Sequence, residues 1–154
     1  VPLIFEPYAA DLAHRLASRS PARVLEIAAG TGVVTRSMAA VLPERASIVA
    51  TDLNQPMVDL ASTLGTNRPV EWRQADAMQL PFPDGMFDAV VCQFGVMFFP
   101  DPVRAFANLR RSARPGARLR FIAWRGPAEN PFMTTAERTA GPLLPELPPR
   151  VPVQ

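Results

Sequence analysis

The sequence predicts an α/β fold, a doubly wound, mostly parallel sheet with helices on both faces. Three observations carry that expectation. Short apolar runs alternate with stretches of helical spacing as far as Trp124. The run "FDAVVCQF" (Phe87 to Phe94) is apolar almost throughout, as a central parallel strand is. In "VLEIAAGTGVVT" (Val24 to Thr35) an apolar run meets a glycine-rich turn and then a helix-compatible segment. Strands alternating with helices imply parallel pairing through right-handed crossovers.

Each element has its own signal. "PYAADLAHRLAS" (Pro7 to Ser18) spaces Tyr8, Leu12 and Leu16 for one helical face. "RVLEIA" (Arg23 to Ala28) is a short strand interrupted only by Glu26. Val33 to Leu42 is a helix that ends near Pro43, and "SIVAT" (Ser47 to Thr51) is the second strand. A helix follows from Gln55 to Leu64, with the Asn54 side chain expected as its N-cap. "VEWRQ" (Val70 to Gln74) alternates and reads as the third strand. "LPFPDGMFD" (Leu80 to Asp88) is a loop with Pro-Asp-Gly turn chemistry. After the fourth strand, Phe87 to Phe94, Asp101 and Pro102 supply an N-cap and a first-turn proline. The helix they open is expected to put Val103, Phe106 and Leu109 on one face. Arg114-Pro115-Gly116 reads as a turn before a fifth strand, "ARLRFIAW" (Ala117 to Trp124). The arrangement is Rossmann-like, and ligands in such sheets sit outside the carboxyl ends of the strands, where strand order reverses.

Length and composition bound the class. A chain of 154 residues, 48% of them hydrophobic, defaults to one domain with a substantial core. We expect that core over residues 1–126, followed by a Pro-rich, substrate-side segment over 127–154. The first residue is Val1, and the prolines from Pro127 to Pro152 cannot supply internal strands, so a gene product longer at both ends is expected. All 16 basic residues are arginine, the net charge is only +2, and the arginines are scattered among acids apart from "RRSARPGARLR". That reads as a solvated surface rather than a nucleic-acid footprint. The single cysteine, Cys92, allows no internal disulfide framework and fits a reducing cytoplasm. No apolar run is long enough for a membrane span. One His and one Cys, with no spaced carboxylate cluster, argue against a metal site.

The glycine turn points to a ligand. Gly30 and Gly32 permit a tight turn, and the helix behind them begins with free N–H groups and a positive dipole end. Asp52 ends the second strand, 20 residues after Gly32, where an acid can accept from both hydroxyls of a ribose. That suits any adenosine-containing cofactor. Two features divide the possibilities. A dinucleotide site wants a third glycine where Thr35 stands. Glu26 is a charge inside the first strand, suited to the ammonium of an amino-acid moiety and repulsive to a pyrophosphate.

On these residues the chain resembles a class I S-adenosylmethionine-dependent methyltransferase, close to the small-molecule branch that includes the ubiquinone and menaquinone methyltransferases. The resemblance covers Tyr8 to Trp124. "VLEIAAGTG" resembles the acidic-x-Gly-x-Gly-x-Gly motif, with Ala28 in place of the first glycine. "VATDLNQPMVDLA", "QADAMQLPFPDGMFDAVVCQFGVMFFPD" and "RPGARLRFIAW" resemble the later motifs in order, with Ala117 where the family has a second glycine in the last. The resemblance implies S-adenosylmethionine as cofactor and S-adenosylhomocysteine as product. It implies that Glu26 and the Ala28 to Gly32 backbone hold the methionine part, and Asp52 the ribose. Leu53 and Met57 pack the adenine or ribose faces. Asp76 accepts from the adenine amino group, with Ala77 and Met78 beside it. Gln93 and Phe94 lie near the sulfonium, and Tyr8 folds over from the first helix. Met97, Phe98, Phe99, Trp124, Asn130 and Phe132 are expected around a small-molecule acceptor. The family sheet has seven strands and this chain supplies five, so either further residues or a second copy, in a homodimer, should cover the edge of strand five.

The same residues admit plainer roles. Asp76 can cap the turn after strand three, Cys92 can be core, and His14 can lie on the helix surface. No general base is identified; positioning of the acceptor is expected to supply the catalysis. The Asn/Asp-Pro-Pro-Tyr tetrad of amino-group DNA methylases is absent after strand four, where the chain has "QFGVMFF". A nicotinamide-dependent oxidoreductase is the first rival; the chain has no lysine for a Tyr-x-x-x-Lys pair. A non-catalytic cofactor-binding or interaction domain is the second.

Overall fold

The computed structural model describes residues 2–126 together with 129–131, 134, 135 and 139. The chain divides into two compact units, Val1–Ile122 and Ala123–Gln154. In the second, Arg125 and Glu129 form an exposed ion pair at 3.5 Å. The Thr134 amide there donates to the Asn130 carbonyl at 3.3 Å.

The first unit is a five-stranded parallel sheet in the order β3-β2-β1-β4-β5. Its strands are β1 (Arg23–Glu26), β2 (Ser47–Asp52), β3 (Glu71–Gln74), β4 (Phe87–Gln93) and β5 (Ala113–Ile122). The helices are α1 (Pro2–Ala17), α2 (Val33–Val41), α3 (Gln55–Leu64) and α4 (Pro102–Ser112). Strand alternation sends Val24, Ile48, Ala89 and Val91 to a cluster with α1 and α2. It sends Leu25, Val49, Val90 and Cys92 to the opposite face, with Leu109 of α4 and the loop residues Leu80 and Phe82. The sheet is thus covered on both faces, as the sequence predicts. Among the described residues, β3 and β5 pair with a strand on one side only.

Several boundaries differ from the sequence expectations, each for a local reason. α1 begins at Pro2, so Pro7 lies inside it. The ring deprives the Leu3 carbonyl of its helical donor, in a turn where Leu3 is 91% exposed and so open to solvent. β1 stops at Glu26 and β4 at Gln93, because Ala28 and Phe94 turn left-handed at φ 52° and 57°. β5 starts at Ala113, four residues before the expected start. The Arg114-Pro115-Gly116 turn is absorbed as an irregularity, with Phe87 opposite Ala113 and Ala89 opposite Arg118. The Asn54 side chain does not cap α3; instead the Asp52 carboxylate takes the Asn54 N–H at 2.9 Å. The Asp101 side chain does cap α4, accepting from the Arg104 N–H. Val103 is 81% exposed, so the buried stripe of α4 is Ala105, Leu109 and Ser112.

At the amino end of the strands Arg68 lines an open hollow of about 650 Å³. Its guanidinium donates to the carbonyls of Leu42, Pro43, Glu44 and Ala46. Those carbonyls follow α2, where a cation also meets the negative end of the helix dipole. Arg68→Met should therefore lower stability by about 2 kcal/mol, read as a fall in the denaturant midpoint. A change within error would show that these bonds contribute nothing net.

Candidate cofactor and active site

Strand order reverses between β1 and β4, so the crevice outside their carboxyl ends is the expected site. The chain leaves β1 through a turn with three left-handed residues, Ala28, Gly30 and Gly32, at φ 52°, 55° and 80°. A Cβ on Gly32 would also lie 2.7 Å from the Trp72 ring, so any larger residue there would strain the backbone and displace that ring. The ladder continues through it: the Ile27 N–H donates to Val91 at 3.0 Å and the Ala29 N–H to Thr51 at 2.9 Å. Asp52 clamps it from β2, its Oδ2 accepting from the Gly30 N–H at 2.8 Å. Gly32 is the N-cap of α2 and provides no side-chain hydrogen bond there.

Glu26 is 2% exposed, on the strand face covered by α2. The Thr35 hydroxyl of that helix donates to its Oε2 at 2.5 Å. Burial pushes the carboxyl up from 4.5 to about 8, against the opposing pull of the Thr35 bond and Arg36. Burial likewise pushes the Cys92 thiol up to about 12, leaving it a neutral core residue.

A cavity of about 330 Å³ opens at the carboxyl ends. β1 and β2 contribute Ala28, Asp52 and Leu53 to its wall. The segment after β3 contributes Asp76, Ala77 and Met78, and the end of β4 contributes Gln93 and Phe94. Phe98 and Phe99 complete an apolar side. Asp76 Oδ1 accepts from the Met78 N–H at 2.8 Å, so it caps its turn as well as lining the cavity. Arg104 and Asn108 of α4 donate to the Met78 carbonyl and hold that turn in place.

Some expected residues stand apart from this wall. Gly30, Gly32 and Glu26 shape the turn beside it without lining it. Tyr8 reaches the site through Phe94, edge to face at 5.4 Å between ring centres. Met57 and Met97 are each 40% exposed and lie outside the wall. Trp124 and Asn130 belong to the second unit, and Phe132 lies outside the described residues. His14 is on the exposed side of α1, its ring bonded to the Ala10 carbonyl.

Gly95 was not expected in the wall. A Cβ there would fall 2.3 Å from the Ala28 Cβ and 2.8 Å from the Cys92 sulfur. Its signal was a glycine directly after a buried strand, which marks close backbone approach. Ile27, Ala75 and Pro100 also line the cavity and carry no comparable signal.

Residues 25–121 match the family model described as a methyltransferase domain. The chain is 39% identical over 119 residues to a demethylmenaquinone methyltransferase of Thermus thermophilus, covering 74% of this chain and 52% of that one. It is 34% identical to the ubiquinone/menaquinone biosynthesis C-methyltransferase UbiE of Pseudomonas aeruginosa, covering 82% and 51%. The chain thus spans about half the length of these relatives. Among solved structures, YcgJ of Bacillus subtilis superposes with a TM-score of 0.69 at 25% identity, over 86% of this chain and 58% of that one. The [4+2]-cyclase SpnF superposes at 0.62 and 27%, over 71% and 43%. The family match begins inside β1 and ends inside β5, so it takes in the whole crevice together with the sheet that builds it, and the chain belongs to the class I S-adenosylmethionine-dependent methyltransferases.

Proposed function

We propose that this protein transfers a methyl group from S-adenosylmethionine to a small, apolar acceptor. One observation carries the reading: the wall combines the Asp52 and Asp76 carboxyls with a largely apolar lining at the switch point of the sheet. The residues suit the cofactor's three parts. The Glu26 carboxyl under the turn offers charge to an ammonium. Asp52 keeps further lone pairs on both oxygens after accepting from Gly30 and Asn54, and these suit a ribose diol. Leu53 and Asp76 suit the faces and amino group of an adenine. When bound, that cofactor supplies a methyl group on a positively charged sulfur.

The chain's own residues then hold and orient. Phe94, Phe98 and Phe99 give the acceptor side an apolar lining. Cys92 is too buried and too weakly acidic to serve as a base, so alignment is the main contribution. Two relatives are named for quinone biosynthesis, and an apolar wall favours an acceptor of that flat, uncharged kind. The test is calorimetric titration with S-adenosylmethionine, S-adenosylhomocysteine and NAD. Micromolar binding of the two sulfur nucleosides alone is expected; binding of NAD alone overturns the reading. Asp52→Ala should weaken S-adenosylhomocysteine binding by roughly tenfold to a hundredfold. Unchanged affinity would remove Asp52 from the ribose site.

A further inference from the structure

Gln93 ends β4 and joins two parts of the molecule. Its Nε2 donates to the Phe5 carbonyl of α1 at 3.2 Å. Its Oε1 is buried and has no hydrogen-bond partner, and the residue lines the cavity. A buried amide oxygen of this kind calls for a donor.

The segment of α1 that Gln93 grips is otherwise weakly embedded. From Ala9 onward, α1 buries Ala9, Leu12, Ala13 and Leu16 in the core. Before Ala9, Leu3, Ile4 and Tyr8 are 91%, 46% and 42% exposed. Pro7 removes one rung of the helix in this stretch. Phe5 and Tyr8 both pack on Phe94, each at 5.4 Å between ring centres. Phe94 is held at φ 57°, a conformation that a bulky residue adopts only when its surroundings enforce it.

We propose that Gln93 is a two-ended positioning residue. Its amide nitrogen latches the first turns of α1 beside the cavity, and its amide oxygen accepts from a donor on the bound ligand. Ligand binding fixes the amide in the orientation that the latch requires, so the two events reinforce each other. The ligand half rests on the cofactor reading above; the latch half does not.

Two variants separate the ends. Gln93→Glu keeps an acceptor and loses the donor, and Gln93→Met loses both. Hydrogen exchange of residues 3–9 in the ligand-free protein should rise about tenfold in both variants. Affinity for S-adenosylhomocysteine should fall about tenfold in Gln93→Met and stay within about threefold in Gln93→Glu. S-adenosylhomocysteine should slow exchange of the segment in the wild type and not in Gln93→Met. Unchanged exchange in both variants overturns the latch. Equal loss of affinity in both overturns the acceptor role, because a merely structural residue would not distinguish them. If Gln93→Met does not fold, exchange in Gln93→Glu decides the latch, because that variant also removes the Nε2 donor to the Phe5 carbonyl. If the wild type does not bind S-adenosylhomocysteine, the cofactor reading fails with the acceptor half, while exchange of the ligand-free segment still decides the latch.

Discussion

Replacing Gly95 by alanine is expected to lower stability by about 3 kcal/mol, a fall in Tm of roughly 10 °C. The added methyl would sit 2.3 Å from the Ala28 Cβ and 2.8 Å from the Cys92 sulfur. Neither neighbour can yield easily. Ala28 has no torsion to swing, and Cys92 is packed in the core beneath. Ala28 also stands where the family motif has glycine, in a left-handed conformation that costs a non-glycine residue about 1 kcal/mol. Ala28→Gly alone should therefore be close to neutral, backbone relief offsetting the greater freedom of the unfolded chain. The double variant should recover about 2 kcal/mol of the loss, since the new methyl takes the space that the old one leaves. Additive losses in a denaturation cycle would show that the two positions do not compete for one space.

Glu26→Gln is expected to move stability and binding in opposite directions. Burial raises the carboxyl of the ligand-free protein to about 8, against 4.5 for a free side chain. Below 4.5 both states hold the proton and burial carries no charge penalty. Between 4.5 and 8 the unfolded chain releases a proton that the folded chain keeps, so stability falls as pH rises. Above 8 the loss is complete. Glutamine has no such slope, and its amide oxygen can still accept from Thr35. The variant should match the wild type near pH 4 and exceed it by roughly 4 to 5 kcal/mol at pH 8.5. Parallel curves in urea titrations at pH 4.5, 6.5 and 8.5 would rule the account out. Affinity for S-adenosylhomocysteine should fall at least about tenfold, because the variant offers no charge to the ammonium. A ligand cation would also pull the wild-type carboxyl down, so binding near pH 7 should release a proton. Calorimetry in two buffers of different ionisation enthalpy reads that release directly.

The sequence made the strands and the crevice legible because both rest on local chemistry. Val24 and Leu25, or Val90 and Val91, are buried on opposite faces of one strand, and only a covered parallel sheet buries both. Asp52, Asp76 and Gln93 could be placed because each ends a strand or follows one within two residues, and strand ends converge at the switch point. What escaped depends on contacts between distant segments. The Asn54 side chain does not cap α3, because the first-turn N–H of Met57 is taken by the Asn54 carbonyl, while the Asn54 N–H is held by Asp52, which also reaches back to Gly30. Val103 fits a helical stripe by spacing, yet α4 presents that position to solvent. Gly95 is required by Ala28, which lies 67 residues earlier, and no local pattern reports such a meeting. The start of β5 escaped because a Pro-Gly turn that looks terminal is carried inside the strand as an irregularity.

The strand order also sets a timetable for folding. β1 lies at the centre of the sheet and pairs with β2 on one side and β4 on the other, Leu25 facing both Val49 and Val90. The first partner is 24 residues away in sequence and the second 65. A nascent chain that has emerged only through β3 can form the β3-β2-β1 half, but the β4 side of β1 stays bare until Gln93 has been made. The crevice is assembled on that same boundary, so ligand binding can appear only after this last long loop closes. Pairing across such separations is slow relative to local helix formation. Until then the earlier half leaves the apolar β4 side of β1 unpaired, the kind of open strand edge that invites misassociation.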